Sequence, residues 1–343
     1  MQLRYKSNLT NAYDKAHDPA TIKTRKKDFS PLYQSLYQSL YQYIRLSVMA
    51  LALGAASTVP AMAAAVQMPA LIQPANQEHH VGKVIFVELV TPDLVSAEHF
   101  YSGLFGWTFQ ATQDTNTTDG TVYAQAYKNG YPVAGLIQKS VPDNEHRQSA
   151  WLSFIAVKDV DATRTAAVRH GAKVLIEPRD VPIRGRQAVF ADPQGAVFAV
   201  LASSSGDPVD VLAEPGEWIW SSLITRDPDA GAAFYQDLFN YEIFELPANP
   251  GKEHLIMASE NYARASANSL PSAEPNRHSH WLNYVRVVDA VTMAAKVKEL
   301  GGHVLVEPRV DRHGGKVAVV SDPSGAPFGL LEWTGDEMKE VTK

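Results

Sequence analysis

Cysteine is absent from all 343 residues. That excludes disulfide frameworks, thiolate zinc sites, thiol nucleophiles and cysteine-linked lipid anchors. Basic residues are outnumbered, 31 Lys and Arg against 37 Asp and Glu, for a net charge of -6. A strongly basic nucleic-acid binder is thereby excluded. No glycine-rich phosphate loop follows a strand; Gly301-Gly302 and Gly314-Gly315 are turn pairs without that context. The Gly-x-Ser-x-Gly elbow of serine hydrolases does not occur. The apolar run Leu46–Val59, closed by Pro60, has fourteen residues. A membrane-spanning helix needs about 20. What remains is the composition of a globular protein, 45% hydrophobic and 20% charged, long enough for two domains.

The first part of the chain differs from the rest. A polar stretch carries Lys23, Arg25, Lys26 and Lys27, and a Leu-Tyr-Gln-Ser repeat fills Leu32–Gln42. The apolar run follows, then Ala61-Met62-Ala63. Basic region, short apolar core and small-x-small triplet, in that order, read as a secretory signal cleaved near Ala63. The expected location is therefore periplasmic or secreted, without a stable membrane anchor. The alternative is an uncleaved anchor formed by Leu46–Val66. The leader holds eight of the basic and three of the acidic residues, so the mature chain keeps 23 and 34, a net charge of -11. An acidic body repels phosphate backbones and anionic lipid.

The remainder is one unit written twice. Leu89-Val90-Thr91-Pro92-Asp93, Phe100-Tyr101 and Leu104-Phe105 return as Leu223-Ile224-Thr225-Arg226-Asp227, Phe234-Tyr235 and Leu238-Phe239. Trp151-Leu152, Asp159, Gly171, Glu177-Pro178-Arg179, Asp192-Pro193, Gly195-Ala196 and Phe198 each return 130 positions later, without a gap. A fixed offset over fifty residues is the signature of tandem duplication. The expected organisation is a leader over 1–63, a flexible linker over 64–80, domain one over 81–205, a linker over 206–213, domain two over 214–335 and a tail over 336–343.

Each copy is itself halved. Val84–Val90 reads as a strand, Asp93 as a helix cap, and Ala97, Phe100, Tyr101 and Leu104 recur at helical spacing. Thr108–Gln110, Val122–Tyr127 and Pro132–Gln138 supply three strands. The second half repeats the order with strand Leu152–Val157, a helix over Asp161–His170, and strands Lys173–Ile176, Gln187–Ala191 and Val197–Leu201. The expected fold is α+β, four βαβββ units, two per domain.

The strand, Asp, helix ending in Phe-Tyr-x-x-Leu-Phe-Gly-Trp, and closing Asp-Pro-x-Gly-Ala turn resemble the vicinal-oxygen-chelate superfamily. That superfamily includes glyoxalase I, bleomycin-resistance proteins and extradiol dioxygenases. The resemblance covers nearly all of 81–335 and implies paired modules whose sheets curl around a cleft. It also implies divalent-metal ligands, His, Gln or Glu, at set strand positions. Counted back from the strand-ending Asp, those fall on Phe86, Leu152 and Ala199, and on Trp220, Leu282 and Gly329. None can ligate through its side chain. A one-residue slip gives Val87, Ser153, Ser221 and Asn283, which build no site either.

The histidines offer no replacement. His79-His80 read as part of a flexible tail, His278-x-His280 as a solvent-facing loop, and His254 as a half-buried strand residue. Alternation places Phe86 and Glu88 towards the cleft of domain one, opposite Leu152, Phe154 and Ala156. In domain two it places Trp220 and Ser222 opposite Leu282, Tyr284 and Arg286. The candidate binding residues are thus Phe86, Glu88, Trp220, Ser222, Tyr284 and Arg286. The loop Arg184-Gly185-Arg186 reads as a solvated turn.

Three readings follow. The first is an exported binder of a small aromatic or anionic molecule, without cofactor or nucleic-acid partner. Domain two would stack a planar anion on Trp220 and Tyr284, with Arg286 forked onto its charge. The second is a metal-dependent lyase or dioxygenase. The third is a scaffold that uses the acidic surface to bind another protein.

Overall fold

A computed structural model describes residues 68–112, 122–139, 149–245, 254–270, 278–311 and 314–333. The expected leader, cleavage triplet and anchor alternative lie outside the described residues. Four modules follow one another in the expected order. The first comprises β1 (Val84–Thr91), α1 (Leu94–Phe105), β2 (Thr108–Thr112), β3 (Val122–Lys128) and β4 (Tyr131–Gln138). The second comprises β5 (Ala150–Ala156), α2 (Val160–Arg169), β6 (Lys173–Val181), β7 (Gly185–Ala191) and β8 (Val197–Ser203). Domain two repeats this as β9 (Trp218–Thr225), α3 (Pro228–Phe239), β10 (Glu242–Glu245), β11 (His254–Ser259) and β12 (Tyr262–Ser269). It ends with β13 (His280–Val287), α4 (Ala290–Glu299), β14 (His303–Val310), β15 (Lys316–Ser321) and β16 (Pro327–Glu332).

The helices begin where the repeated aspartates stand. Asp93, Asp159, Asp227 and Asp289 accept from the amides of Ser96, Ala162, Ala230 and Thr292, each at 2.9 Å. Each satisfies a donor the first turn would otherwise leave unpaired. α1 stops at Gly106 and α3 at Asn240, both left-handed, a conformation those two residue types tolerate best.

Each domain forms one eight-stranded sheet, ordered β2-β3-β4-β1-β5-β8-β7-β6 and β10-β11-β12-β9-β13-β16-β15-β14. The central strands of each pair run antiparallel, with Glu88 opposite Leu152 and Ser222 opposite Leu282. A register shift near Ile85, repeated near Ile219, turns Val84 and Trp218 to the helix side. Such a bulge re-aims a strand end without breaking the ladder.

The helices pair across the domains, not within them. One apolar cluster joins Phe100, Tyr101 and Leu104 of α1 to Ala290, Ala294 and Val297 of α4. Another joins Val160 and Ala167 of α2 to Ala232, Tyr235 and Phe239 of α3. The tyrosine of each Phe-Tyr pair reaches the Asp-Pro turn of the other domain. Tyr101 donates to Asp322 at 3.3 Å and Tyr235 to Asp192 at 3.2 Å. Each phenol in turn accepts from an indole, Trp151 at 3.1 Å and Trp281 at 2.9 Å. The most specific repeated motif is therefore an interdomain latch.

Between the two central strand pairs, Asn283 Oδ1 accepts from Ser153 at 3.0 Å and Ser221 at 2.7 Å. All three residues are buried. Asn283→Ala strands both hydroxyls, so it should cost about 1–3 kcal/mol, measured as a lowered urea midpoint. An unchanged midpoint would show that the hydroxyls find other partners.

Candidate functional site

With helices on one face of each sheet, the other face forms a cup. The cups are built alike and filled differently. Across β1, β5 and β8, cup one presents the row Phe86, Phe154 and Ala199; across β9, β13 and β16, cup two presents Trp220, Tyr284 and Gly329.

Cup one is closed by its own chain. Met68 packs with Tyr123 and Val181, and Leu71 with Phe86, Leu152 and Phe154. Asn76 donates from its backbone to Ser205 O at 2.9 Å and from its side chain to Asp207 O at 3.0 Å. Residues 68–80, read from sequence as linker and tail, are thus anchored on domain one, because two apolar side chains find a matching apolar surface there. His80 likewise is held: its amide donates to Asp207 at 2.7 Å and its ring lies 2.9 Å from Glu260.

Beneath that segment lies a buried polar cluster. Arg184 is 1% exposed, not a solvated turn. It reaches from the β6–β7 connection to donate to Tyr123 at 2.8 Å and Gln125 Oε1 at 3.2 Å. Its guanidinium stacks 4.4 Å over the Phe86 ring. Glu88 is 3% exposed. Burial pushes its carboxyl up, while Arg184 and Arg179 pull it back. Copy two holds Gly314 where copy one holds Arg184, and a difference between otherwise matched copies was the one signal that could have marked this arginine.

Cup two carries a chain of small polar groups. Ser266 Oγ accepts from Trp220 Nε1 and Asn268 Nδ2, both at 3.1 Å, which leaves its hydrogen for Ser222 Oγ at 2.9 Å. His254 Nδ1 is bonded to Asn268 Oδ1. Burial raises the Tyr284 phenol, while Ser222 and Arg309 oppose the shift. A neutral phenol remains available as a donor. Trp220 and Tyr284 are only partly buried, whereas their counterparts Phe86 and Phe154 are buried. Among the described residues no segment covers cup two as 68–76 covers cup one.

The expected site residues therefore divide. Phe86 and Glu88 meet in the closed cup; Trp220, Ser222 and Tyr284 meet in the other. Arg286 lies on the cup face of β13, but it donates to Ala213 O at 2.7 Å and Trp333 O at 3.3 Å. It ties the interdomain linker to the chain after β16. His280 is not in a solvent-facing loop: it begins β13 and is buried.

At the positions counted for the superfamily's metal ligands, neither cup offers a set of donor side chains. Phe86, Leu152, Phe154 and Ala199 offer no donor atoms, and the Tyr284 ring lies over Gly329. In cup one a cation is already present, since the Arg184 guanidinium sits on the oxygens of Tyr123 and Gln125. Outside the cups, His80, Asp210 and Glu260 bring donor atoms within 4.8 Å of one another. Asp210 is paired there with Lys83 at 2.8 Å and Arg264 at 2.6 Å, and Glu260 with Arg264 at 2.8 Å. Those cations already neutralise the carboxylates that a metal would need.

The profile described as Glyoxalase/Bleomycin resistance protein/Dioxygenase superfamily matches residues 79–200 and 219–330. "Putative glyoxylase CFP32" of Mycobacterium tuberculosis is 31% identical over 261 residues, 76% of this chain and 98% of that one. "Anthracycline biosynthesis protein DauV" of Streptomyces sp. is 29% identical over 265 residues, 73% of this chain and 93% of that one. The Mn(II)-bound glyoxalase from Novosphingobium aromaticivorans superposes with a TM-score of 0.50 at 15% identity, covering 74% of this chain and 83% of that one. The 2,3-dioxygenase LapB from Pseudomonas sp. KL28 gives 0.51 at 12% identity, covering 74% and 93%. The two structural likenesses speak for the fold alone.

Proposed function

Because the chain belongs to the Glyoxalase/Bleomycin resistance protein/Dioxygenase superfamily, we propose that it is an exported binder of a small planar aromatic acid, held in cup two without a metal. One observation carries this reading: Trp220 and Tyr284 stand opposite each other on neighbouring strands, partly accessible, beside a line of hydroxyl and amide groups. An aromatic floor with a few placed polar groups is the usual make-up of a small-molecule site. A relative named for anthracycline biosynthesis agrees with a planar aromatic ligand. Export rests on the basic, apolar and small-residue order before residue 64, and N-terminal sequencing of secreted protein tests it.

The charge of the acid needs a cation. Arg286 is engaged with two carbonyls, whereas the exposed Arg309 is close enough to Tyr284 to favour its ionised form. Arg309 is therefore the better partner. Aromatic acids should quench Trp220 fluorescence. Arg309→Ala should weaken their binding by roughly three- to tenfold, as suits a charge partly screened by water. Arg286→Ala should chiefly lower thermal stability. A large affinity loss on Arg286→Ala, with Arg309→Ala silent, would return the ligand's charge to Arg286. The metal-dependent reading would draw on His80, Asp210 and Glu260, the one group of close donors among the described residues. It predicts a stoichiometric metal that survives dialysis and is lost on His80→Ala.

A further inference from the structure

We propose that cup one is a second ligand site, taking a small hydroxy carboxylic acid, and that residues 68–76 are its lid. The inference is independent of the reading of cup two. It starts from two buried polar atoms without a hydrogen-bond partner, Arg184 Nε and Gln187 Oε1. Arg184 is 1% and Gln187 4% exposed, so no bulk water compensates them. Leaving such groups unpaired is costly, and natural proteins rarely do so without a use.

The two orphans ask for complementary chemistry. A guanidinium N–H wants an anionic oxygen, and a side-chain carbonyl wants a donor. A carboxylate with a hydroxyl close by supplies both. Arg184 is prepared for this, because Phe86 backs its plane and Tyr123 and Gln125 fix Nη2. A guanidinium held in this way meets a carboxylate without further loss of side-chain freedom.

Over this cluster lies Met68, which packs with Val181 and with Tyr123, the phenol to which Arg184 donates. Met68 and Leu71 are the lid's buried apolar anchors, and Gln73, Pro74 and Ala75 are exposed. Its polar tethers are the bonds of Ile72 N to Ser205 Oγ at 3.1 Å and of Asn76 to Ser205 and Asp207. A segment with so few buried contacts opens at far lower cost than the sheet beneath it. An acid that reaches Arg184 replaces Met68 and satisfies both orphans.

A reversible lock tests this. The chain has no cysteine, so Ile72→Cys with Ser205→Cys introduces the sole thiol pair, next to an existing tether. Glycolate and lactate, which have no ring to stack in cup two, are titrated calorimetrically, with their amides as uncharged controls. Binding is expected in the parent and the reduced double variant, at least tenfold weaker when the disulfide is closed, and restored by reductant. Arg184→Met should weaken it by roughly ten- to a hundredfold. Amide exchange at Ile72 and Asn76 should quicken in the parent when acid is added. Quenching of Trp220 by aromatic acids should survive the lock, so failure of one site is distinguishable from failure of the other. The proposal is overturned if neither acid binds the parent, or if both bind equally well to the locked protein or to Arg184→Met.

Discussion

Raising the pH from about 5 to about 8 is expected to lower the unfolding midpoint of this protein, and Asp322→Asn is expected to remove most of that decline. Asp322 sits in the Asp-Pro turn, reached by the Tyr101 hydroxyl from the other domain. Burial pushes its carboxyl up to about 7, against the hydrogen bonds it accepts from backbone amides and Tyr101. Its counterpart Asp192 is pushed up to about 6, again chiefly by burial. The folded protein therefore holds these protons more tightly than the unfolded chain does. Their contribution to stability is complete below the unfolded carboxylate value, about 4, and is lost as pH rises through 6 and 7. For Asp322 alone the loss is up to roughly 4 kcal/mol, at 1.36 kcal/mol per unit. Asparagine keeps the shape and an acceptor for the turn amides without a charge to bury. Asp322→Asn should thus be more stable than the parent near pH 8 and similar to it near pH 5. Thermal melts across that range check both points. A parental slope in Asp322→Asn would show that the charge is better solvated than its position implies.

Gly329→Ala should weaken the hold of cup two on its aromatic ligand. A methyl group at Gly329 would fall 1.9 Å from Tyr284 Cδ1 and 2.4 Å from Cε1. The ring has to leave, since the strand backbone on either side is fixed by pairing with β13 and β15. Tyr284 then loses its place beside Trp220 and Ser222. Loss of the stacking partner suggests a roughly two- to tenfold weaker Kd for aromatic acids. Tyr284→Ala should cost about the same, and adding Gly329→Ala to it should cost little more, because both act through one ring. If the two effects multiply, Tyr284 is not the route by which Gly329 matters.

The strands and helices were legible because their signals are local. Asp93 caps its helix as expected, whereas the helix expected from Asp161 starts at Val160 behind Asp159, the repeat's own cap position; alternation in Phe86–Val90 sorts core from cup. β6 runs five residues beyond the expected Ile176, to Val181. That extension is paired by β7 across two register shifts, and its own sequence, with Pro178 and alternating charge, argues for a loop. Trp220, Ser222 and Tyr284 were legible as one face for the same reason as the core. Arg184 and the role of Arg286 were not. Arg184 is held by Gln125 and Tyr123, 59 and 61 positions away, and Arg286 by the chain after β16 and by the linker. Likewise the Phe-Tyr pairs could be seen as repeated, but only the packing of α1 against α4 shows that each serves the opposite domain.

That crossed pairing makes the molecule a fused dimer whose two halves are held by each other's turns. The same latches, Tyr101 with Asp322 and Tyr235 with Asp192, can close between domain one of one chain and domain two of another. The connection through 206–213 is pinned where Asp210 meets Lys83 and Arg264. Shorten that connection and the complementary surfaces remain, but their natural mates lie on a neighbour. The expected product is a domain-swapped dimer with both cups intact, a route by which oligomeric state changes without any new interface.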